Sequence, residues 1–495
     1  MRSSHPIEVP VKSALDIDQI FDAISYLKGS SVIRMLSSHL TNEVFLKGVS
    51  DYLKKHAYGN AKTDDLWAAL SAASGQDVKT FMDPWIRKIG FPVVTVAEEP
   101  GQITLQQSRF LSSGDAKAAE DETTWWVPVG LRSGDGQVTH RALQAKKDTI
   151  RNVDDQFYKI NSDQVGFYRT NYPPQRLSRL ASQQSMLSVE DKIGLIGDAA
   201  ALAISGDATT PALLTFMEGF QQEESYQVWA QISASLGKVR QVFSSNKEIK
   251  EALRKYAEKL VSPAVEKIGW DYPGGEDYLQ VQLRKLLISM AAHAGHQSTI
   301  KTGQDKFQAY VTGNHGAIHP NLTSTVFSIA VANGGRAEYD AVKWHFAESN
   351  AADFKELCFA AMGGIKDKGI AREFLEYVTS DAVAAQDCHG GPMSVSSNSE
   401  ARDVVWDFTK SEWDGRMMKL RKAATVILDR WMKCGLQRYS DTATADDIAA
   451  FFQDKDKQGF DRSLAQIDDS IRASAAYKAR DEKVLLEWLK AHGYA

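Results

Sequence analysis

The hydrophobic period of this chain changes twice, and those two changes limit the folds open to it. Up to about residue 90, apolar residues recur at helical spacing. From Phe91 to Tyr172 they come in short β-branched and aromatic runs, and beyond Tyr172 the helical spacing returns and persists to the end. Periods of 3.6 and 2 residues place side chains on different faces and cannot share one element. The sequence therefore predicts a mainly α protein with an inserted β-sandwich, in three regions: 1–90, 91–172 and 173–495.

In the first region Ile24, Leu27, Val32, Ile33 and Leu36 form a helical stripe over 24–40. Thr63 followed by Asp64 and Asp65 reads as a helix start, a cap with acids in the positive first turn. Val78, Phe81, Met82, Trp85, Ile86 and Ile89 continue the spacing. Pro84 either interrupts that run or, with Asp83, opens a second short helix; Gly90 is the expected stop. In the second region the runs 93–96, 103–105, 125–131, 138–143, 157–160 and 167–172 predict strands, and Glu99-Pro100-Gly101 and Gly134-Asp135-Gly136 predict turns. Together they predict a small antiparallel sandwich, with a solvated loop at 115–123. In the third region Ser188-x-x-Asp191 forms a capping box ahead of 193–204, and Thr210-Pro211 supplies a cap and an N1 proline. More than 300 residues of moderate helices predict stacked helical pairs, an α-solenoid of the HEAT or armadillo kind, although no fixed-period consensus is visible.

Composition removes several function classes. The net charge of the 495 residues is −5 with both signs interleaved, which lacks the clustered basic footprint of a nucleic-acid binder. No apolar run approaches the ~18 residues of a membrane span, and Met1-Arg2-Ser3-Ser4-His5-Pro6 lacks the apolar stretch of a secretory signal. Cys358, Cys388 and Cys434 are too scattered for a disulfide framework or thiolate site. Asn321-Leu322-Thr323 reads as a chance glycosylation sequon. A cytoplasmic protein is expected. Phosphate-cradling glycine loops and the Gly-x-Ser-x-Gly elbow are missing. Among eleven histidines, His315/His319 (i, i+4) and His293/His296 (i, i+3) have ligand-like spacing. Each pair has a glycine inside it and implies no third ligand. No histidine is followed by Glu, so His-Glu-x-x-His does not occur.

Tyr26, in Ser25-Tyr26-Leu27-Lys28-Gly29, reads by chemistry alone as a packed amphipathic residue at a helix start, with Gly29 allowing a close backbone approach. The wider segment, 23–32 with Arg34-Met35-Leu36, resembles the late catalytic-domain signature of M1-family zinc aminopeptidases, nearest the puromycin-sensitive type and its fungal relatives. Ser3-Ser4-His5-Pro6-Ile7, Tyr58-Gly59-Asn60-Ala61, Asp65-Leu66-Trp67 and Gly90-Phe91-Pro92-Val93 fit the same pattern. So do Lys159-Ile160-Asn161, 166–172, 191–195, Ala385-Gln386-Asp387, Trp406-Asp407-Phe408, Trp413-Asp414 and 459–465. The resemblance covers essentially the whole chain.

It implies the helical end of a thermolysin-like catalytic domain, a β-sandwich and a large helical domain. It also implies that Tyr26 is the catalytic tyrosine, donating a hydrogen bond to the tetrahedral oxyanion. Two departures are Leu27, where a polar or acidic residue is usual, and His389-Gly390-Gly391-Pro392. A third is decisive. The family's zinc ligands, its general-base glutamate and its Gly-x-Met-Glu-Asn motif lie upstream of the tyrosine segment, and none occurs here. The expectation is a C-terminal half of such an enzyme. It would be inactive alone, bind no zinc itself, and have the N-terminal catalytic half as partner and peptides as substrates of the whole. Two other readings stay open: a non-catalytic solenoid that holds peptides or a partner, and an independent metalloenzyme using one of the histidine pairs.

Overall fold

A computed structural model describes residues 4–10, 20–114 and 116–495. Met1–Ser3 and Asp115, which enter the readings above, lie outside them. The chain divides into two compact units, Met1–Phe216 and Met217–Ala495.

The first unit begins with helices Gly29–Leu40, Asn42–Lys55, Thr63–Ser74 and Val78–Arg87. The last is a single helix with Pro84 inside it, not two helices split at Asp83. Asp77 caps it by accepting from Thr80 N–H, and Val78, Phe81, Met82, Trp85 and Ile86 are all buried, so an amphipathic stripe and a good cap outweigh one lost backbone bond. Helices Asn42–Lys55 and Thr63–Ser74 approach closely at Gly48, where a Cβ would lie 2.7 Å from Leu70.

Seven strands follow: β1 Pro92–Glu99, β2 Gln102–Arg109, β3 Val127–Ser133, β4 Val138–Leu143, β5 Lys147–Arg151, β6 Tyr158–Lys159 and β7 Arg169–Asn171. They form two sheets, ordered β5-β2-β1-β7 and β4-β3-β6. The turns at Gly101 and Gly136, both at positive φ, join β1 to β2 and β3 to β4. The 116–123 stretch is a mostly exposed loop holding one 3₁₀ turn, Ala118–Glu120. Two features depart from expectation. β7 pairs parallel to β1, Val93 opposite Arg169, within otherwise antiparallel sheets. Gln107, on an alternating strand, points inward: its amide accepts from Trp125 N–H at 2.8 Å and donates to the carbonyls of Trp125 and Ala145, each at 2.9 Å. It thereby supplies backbone partners between strands that no ladder serves.

Helix Val189–Ser205 follows the sheets within this unit. Ser188 and Asp191 form its capping box, but Asp191 does more than cap. Its carboxylate is fully buried and sits 2.8 Å from the Lys159 ammonium, itself 1% exposed. Lys159 also donates to the carbonyls of Ile160 and Asn161. Two turns along the same helix face, Asp198 accepts from Thr170 N–H at 2.9 Å and pairs with Arg169 at 3.0 Å. Burial raises the Asp198 carboxyl above its usual range against the pull of Arg169, and burial lowers the Lys159 ammonium despite Asp191. These groups hold an unusual turn: Asn161, Asp163 and Gln164 all have positive φ of 49–59°, a region unfavourable for residues with a Cβ. Asp191 accepts from Asp163 N–H at 2.7 Å, and Arg34 donates to the carbonyls of Gln164 and Asp163. The helix approaches this turn at Gly194, where a Cβ would lie 2.1 Å from the Gln164 side-chain oxygen.

The second unit is helical throughout its described residues. Its α-helices range from the six residues of Met418–Ala423 to the 31 of Asp461–Ala491, consistent with the absence of a fixed repeat. Helix Asp461–Ala491 packs on Thr425–Leu436 and on Lys247–Ile268. Among the described residues no helix is long and apolar enough to cross a membrane.

Because Asp191 and Lys159 are buried together, Asp191→Asn and Lys159→Met should each destabilise the chain by about 3–5 kcal/mol. Urea unfolding should show the double change, Lys159→Met with Asp191→Asn, to be less costly than the two losses summed. Additive losses would show that the pair does not act as a unit.

Candidate functional site

Tyr26 lies on a five-residue π-helical turn, Ile24–Lys28, which continues directly into helix Gly29–Leu40. Such an extra residue in a helical path widens the turn and re-aims side chains, and it recurs at functional sites. The residue is not packed as an amphipathic helix position would be: it is 60% exposed, with its ring 6.1 Å from that of Phe21.

The turn beneath it is fixed at both ends. At its start Asp22 Oδ1 accepts from the N–H groups of Ile24 and Ser25, at 2.9 and 3.1 Å, and the Asp22 carbonyl accepts from Tyr26 N–H. The other carboxylate oxygen of Asp22 meets the ring of the buried His5 at 2.9 Å. Three residues beyond His5, Glu8 N–H donates to the Ile86 carbonyl and the Glu8 carboxylate pairs with Arg87, which ties this segment to helix Val78–Arg87. At its end Lys28 is 6% exposed and donates from Nζ to the Gly90 carbonyl at 2.8 Å. Burial pushes its ammonium down to about 8. The Leu27 carbonyl accepts from the Ser30 and Ser31 hydroxyls. One turn on, Arg34 reaches the strained 161–164 turn described above. An exposed phenol thus stands on a rigid, multiply tethered base, the arrangement needed to place one hydrogen-bond donor accurately.

The two histidine pairs do not converge. His315 and His319 occupy separate short turns, with His315 against the Tyr310 ring and His319 stacked at 3.7 Å on Tyr272. His293 is bonded to the Ser289 carbonyl and His296 to the Thr299 hydroxyl. Among the described residues no three His, Cys, Asp or Glu side chains gather as a metal ion requires. Sequence reasoning singled out Tyr26 but gave no role to His5, Asp22 or Lys28. Asp22 carried a usable signal, a capping residue just before the Tyr26 segment, whereas nothing local marks Lys28 as buried.

Comparison with known proteins gives two family matches: the ERAP1-like C-terminal domain over residues 157–473 and the peptidase family M1 domain over residues 1–85. Aminopeptidase 2 of Candida albicans is 36% identical over 504 residues, spanning all of this chain and 54% of that protein. The alanine/arginine aminopeptidase of Saccharomyces cerevisiae is 36% identical over 495 residues, with 58% of its own length covered. The mitochondrial aminopeptidase 2 of the same yeast is 36% identical over 496 residues, with 52% covered. The chain spans about half the length of the curated relatives it matches.

The Lys28 ammonium supplies a pH test. Its proton is held to about pH 8 in the folded chain but to 10.5 when unfolded, so between those values the unfolded state binds more protons and stability rises with pH. Relative to Lys28→Met, the parental chain should gain up to about 3 kcal/mol across that window, read by urea unfolding at a series of pH values. A flat difference would place the ammonium in solvent.

Proposed function

The chain belongs to the M1 peptidase family with the ERAP1-like C-terminal domain, and on that premise we propose that it is a C-terminal portion of an aminopeptidase that removes N-terminal residues from peptides. The observation that carries the proposal is the exposed Tyr26 phenol on a turn held by Asp22 and Lys28. Peptide hydrolysis passes through a tetrahedral oxyanion, and a fixed O–H donor aimed at that oxygen lowers the barrier because it need not reorganise as charge develops. Tyr26 takes that role, and Asp22, His5 and Lys28 are its positioning residues. Aminopeptidases of the M1 family are zinc enzymes. The side chains described here do not fit that ion, so a segment carrying His-Glu-x-x-His is needed to activate water.

The reading divides the chain at 90 and 172 into the helical end of a catalytic domain, a sandwich and a helical domain. The partner it requires is the rest of the catalytic domain. Leu46 and Leu53 support this: they lie two turns apart on one face of helix Asn42–Lys55 and are 61% and 60% exposed. A cytosolic address belongs to the same reading and is supported by Cys358, Cys388 and Cys434 remaining unpaired; the mitochondrial yeast relative makes the organelle the competing address, which cell fractionation decides.

Two experiments test this reading. Joined to or co-expressed with an M1 segment that carries the zinc motif, the chain should hydrolyse fluorogenic aminoacyl substrates in a chelator-sensitive manner. In that assembly Tyr26→Phe should lower kcat about 10²–10³-fold with little change in KM. Absence of turnover in a folded assembly, or an unchanged kcat in the variant, would overturn the proposal. Alone, the chain should self-associate in analytical ultracentrifugation, and Leu46→Lys with Leu53→Lys should render it monomeric. A monodisperse parental monomer at high concentration would remove the exposed face as a contact surface.

A second reading, a non-catalytic protein that holds a peptide or partner, is favoured by the large cavity of the second unit described next. It predicts tight peptide binding by the chain alone and no turnover with any M1 segment.

A further inference from the structure

The second unit holds a cavity of about 1650 Å³ that is open to solvent, with walls from helices Tyr226–Val242, Tyr278–His293, Thr323–Asn333, Ala352–Met362 and Gly390–Ser397. Its lining carries eight lysines and arginines against four carboxylates. Three of these cations gather in one corner. Lys250 has a counter-charge in Glu400, whereas Lys238, Arg402 and Arg438 bond only to neutral groups or to none. Lys238 Nζ donates to the Ser474 hydroxyl at 3.1 Å. Arg402, 8% exposed, donates to the carbonyls of Ser396 at 2.8 Å and Gln241 at 3.5 Å and to the Ser244 hydroxyl at 3.4 Å. The Arg438 Nε is buried with no partner among the described residues.

The three are neighbours. Gln241 stands one turn beyond Lys238 on helix Tyr226–Val242; its carbonyl accepts from Arg402 and its side-chain amide donates to the Arg438 carbonyl at 2.9 Å. Tyr439, next in sequence to Arg438, donates to the Arg402 carbonyl at 2.8 Å. Burial, reinforced by the Arg438 and Arg402 charges, pushes the Lys238 ammonium down to about 8. Burial also lowers Arg402, and Arg438 adds to the effect.

Like charges gathered out of water repel strongly, since the surrounding dielectric screens them poorly. A fold that merely needed long side chains here could use neutral ones. Cations without a counter-charge at a cavity wall, one of them with a buried N–H that has no partner among the described residues, are the complement of a missing group of opposite sign. Two guanidinium forks and one ammonium match a compact group bearing several oxygens. A single negative charge would leave two cations uncompensated, so more than one is required.

We infer that the Lys238–Arg402–Arg438 corner of this cavity is a binding site for a multiply charged oxyanion, a phosphate or polycarboxylate group. The site does not depend on the peptidase reading, because occupancy is measured without turnover.

Calorimetric titration of the full chain with inorganic phosphate, citrate and acetate at constant ionic strength tests it. Phosphate or citrate should bind one to one, acetate much more weakly, and the tighter of the first two identifies the class of ligand. Lys238→Met and Arg438→Met should each weaken that binding by about ten-fold or more, as loss of a charge-assisted bond does. Without ligand both variants should melt at or above the parental temperature, because each relieves repulsion, and the rise in melting temperature on adding the anion should shrink in both. Three results would overturn the inference: no binding of phosphate or citrate, acetate binding as tightly as either, or unchanged affinity in both variants. Variants that melt well below the parent would overturn it as well, by giving the cations a structural role.

Discussion

The first unit turns on one buried ion pair. Lys159 ends a two-residue strand and Asp191 opens a helix, and neither has water to fall back on. Such a pair gains little against a well-packed apolar substitute, since desolvation of two charges consumes most of their attraction. What it contributes here is placement. Asp191 Oδ1 accepts from both the Lys159 ammonium and the N–H of Asp163, and with Asp198 two turns further along, a single helix face determines where the backbone of 159–171 can lie. The left-handed turn at 161–164 persists because its carbonyls and N–H groups have partners only in that geometry. Arg34 then carries the constraint into the helix that follows Tyr26. The placing of an exposed phenol is thus connected, through named bonds, to a charge pair in the interior.

Much of this arrangement was legible in the residues. The two changes of period separated helical from strand-rich stretches because burial on one face imposes a spacing that propensity alone does not. The Ser188-x-x-Asp191 cap was visible for the same kind of reason: capping is local, and four consecutive residues contain the whole interaction. The resemblance to M1 aminopeptidases rested on dispersed short motifs and agrees with the family matches at both ends of the chain.

What stayed hidden depends on partners distant in sequence. The second role of Asp191 could not be read, because Lys159 lies 32 residues away and looks like any strand-end lysine. Gln107 sits on an alternating strand where a polar residue is expected to face water, and it faces inward because three backbone groups there have no ladder. Pro84 suggested a break, yet a strong cap and five buried apolar side chains held one helix across it. The π-helical turn was invisible for another reason: one extra residue in a helical path shifts the stripe by less than the scatter of real sequences. Tyr26 therefore read as a packed residue on chemistry alone, while the turn presents it to solvent.

The parallel pairing of β7 with β1 also bears on the order in which the chain can be completed during synthesis. β1 lies inside its sheet, with β2 on one side and β7 on the other. Its first neighbour leaves the ribosome almost at once, whereas its second follows only after every other strand has been made. Until then β1 presents an open edge, the kind of surface on which nascent chains pair wrongly. Even after β7 arrives, the ammonium of Lys159 has no counter-charge until Asp191 emerges, and Thr170 none of its carboxylate support until Asp198 does. The sandwich is therefore finished by the helix that follows it, and a nascent chain that has emerged past residue 171 but not as far as residue 191 would hold a sheet with all its strands and without the groups that secure them.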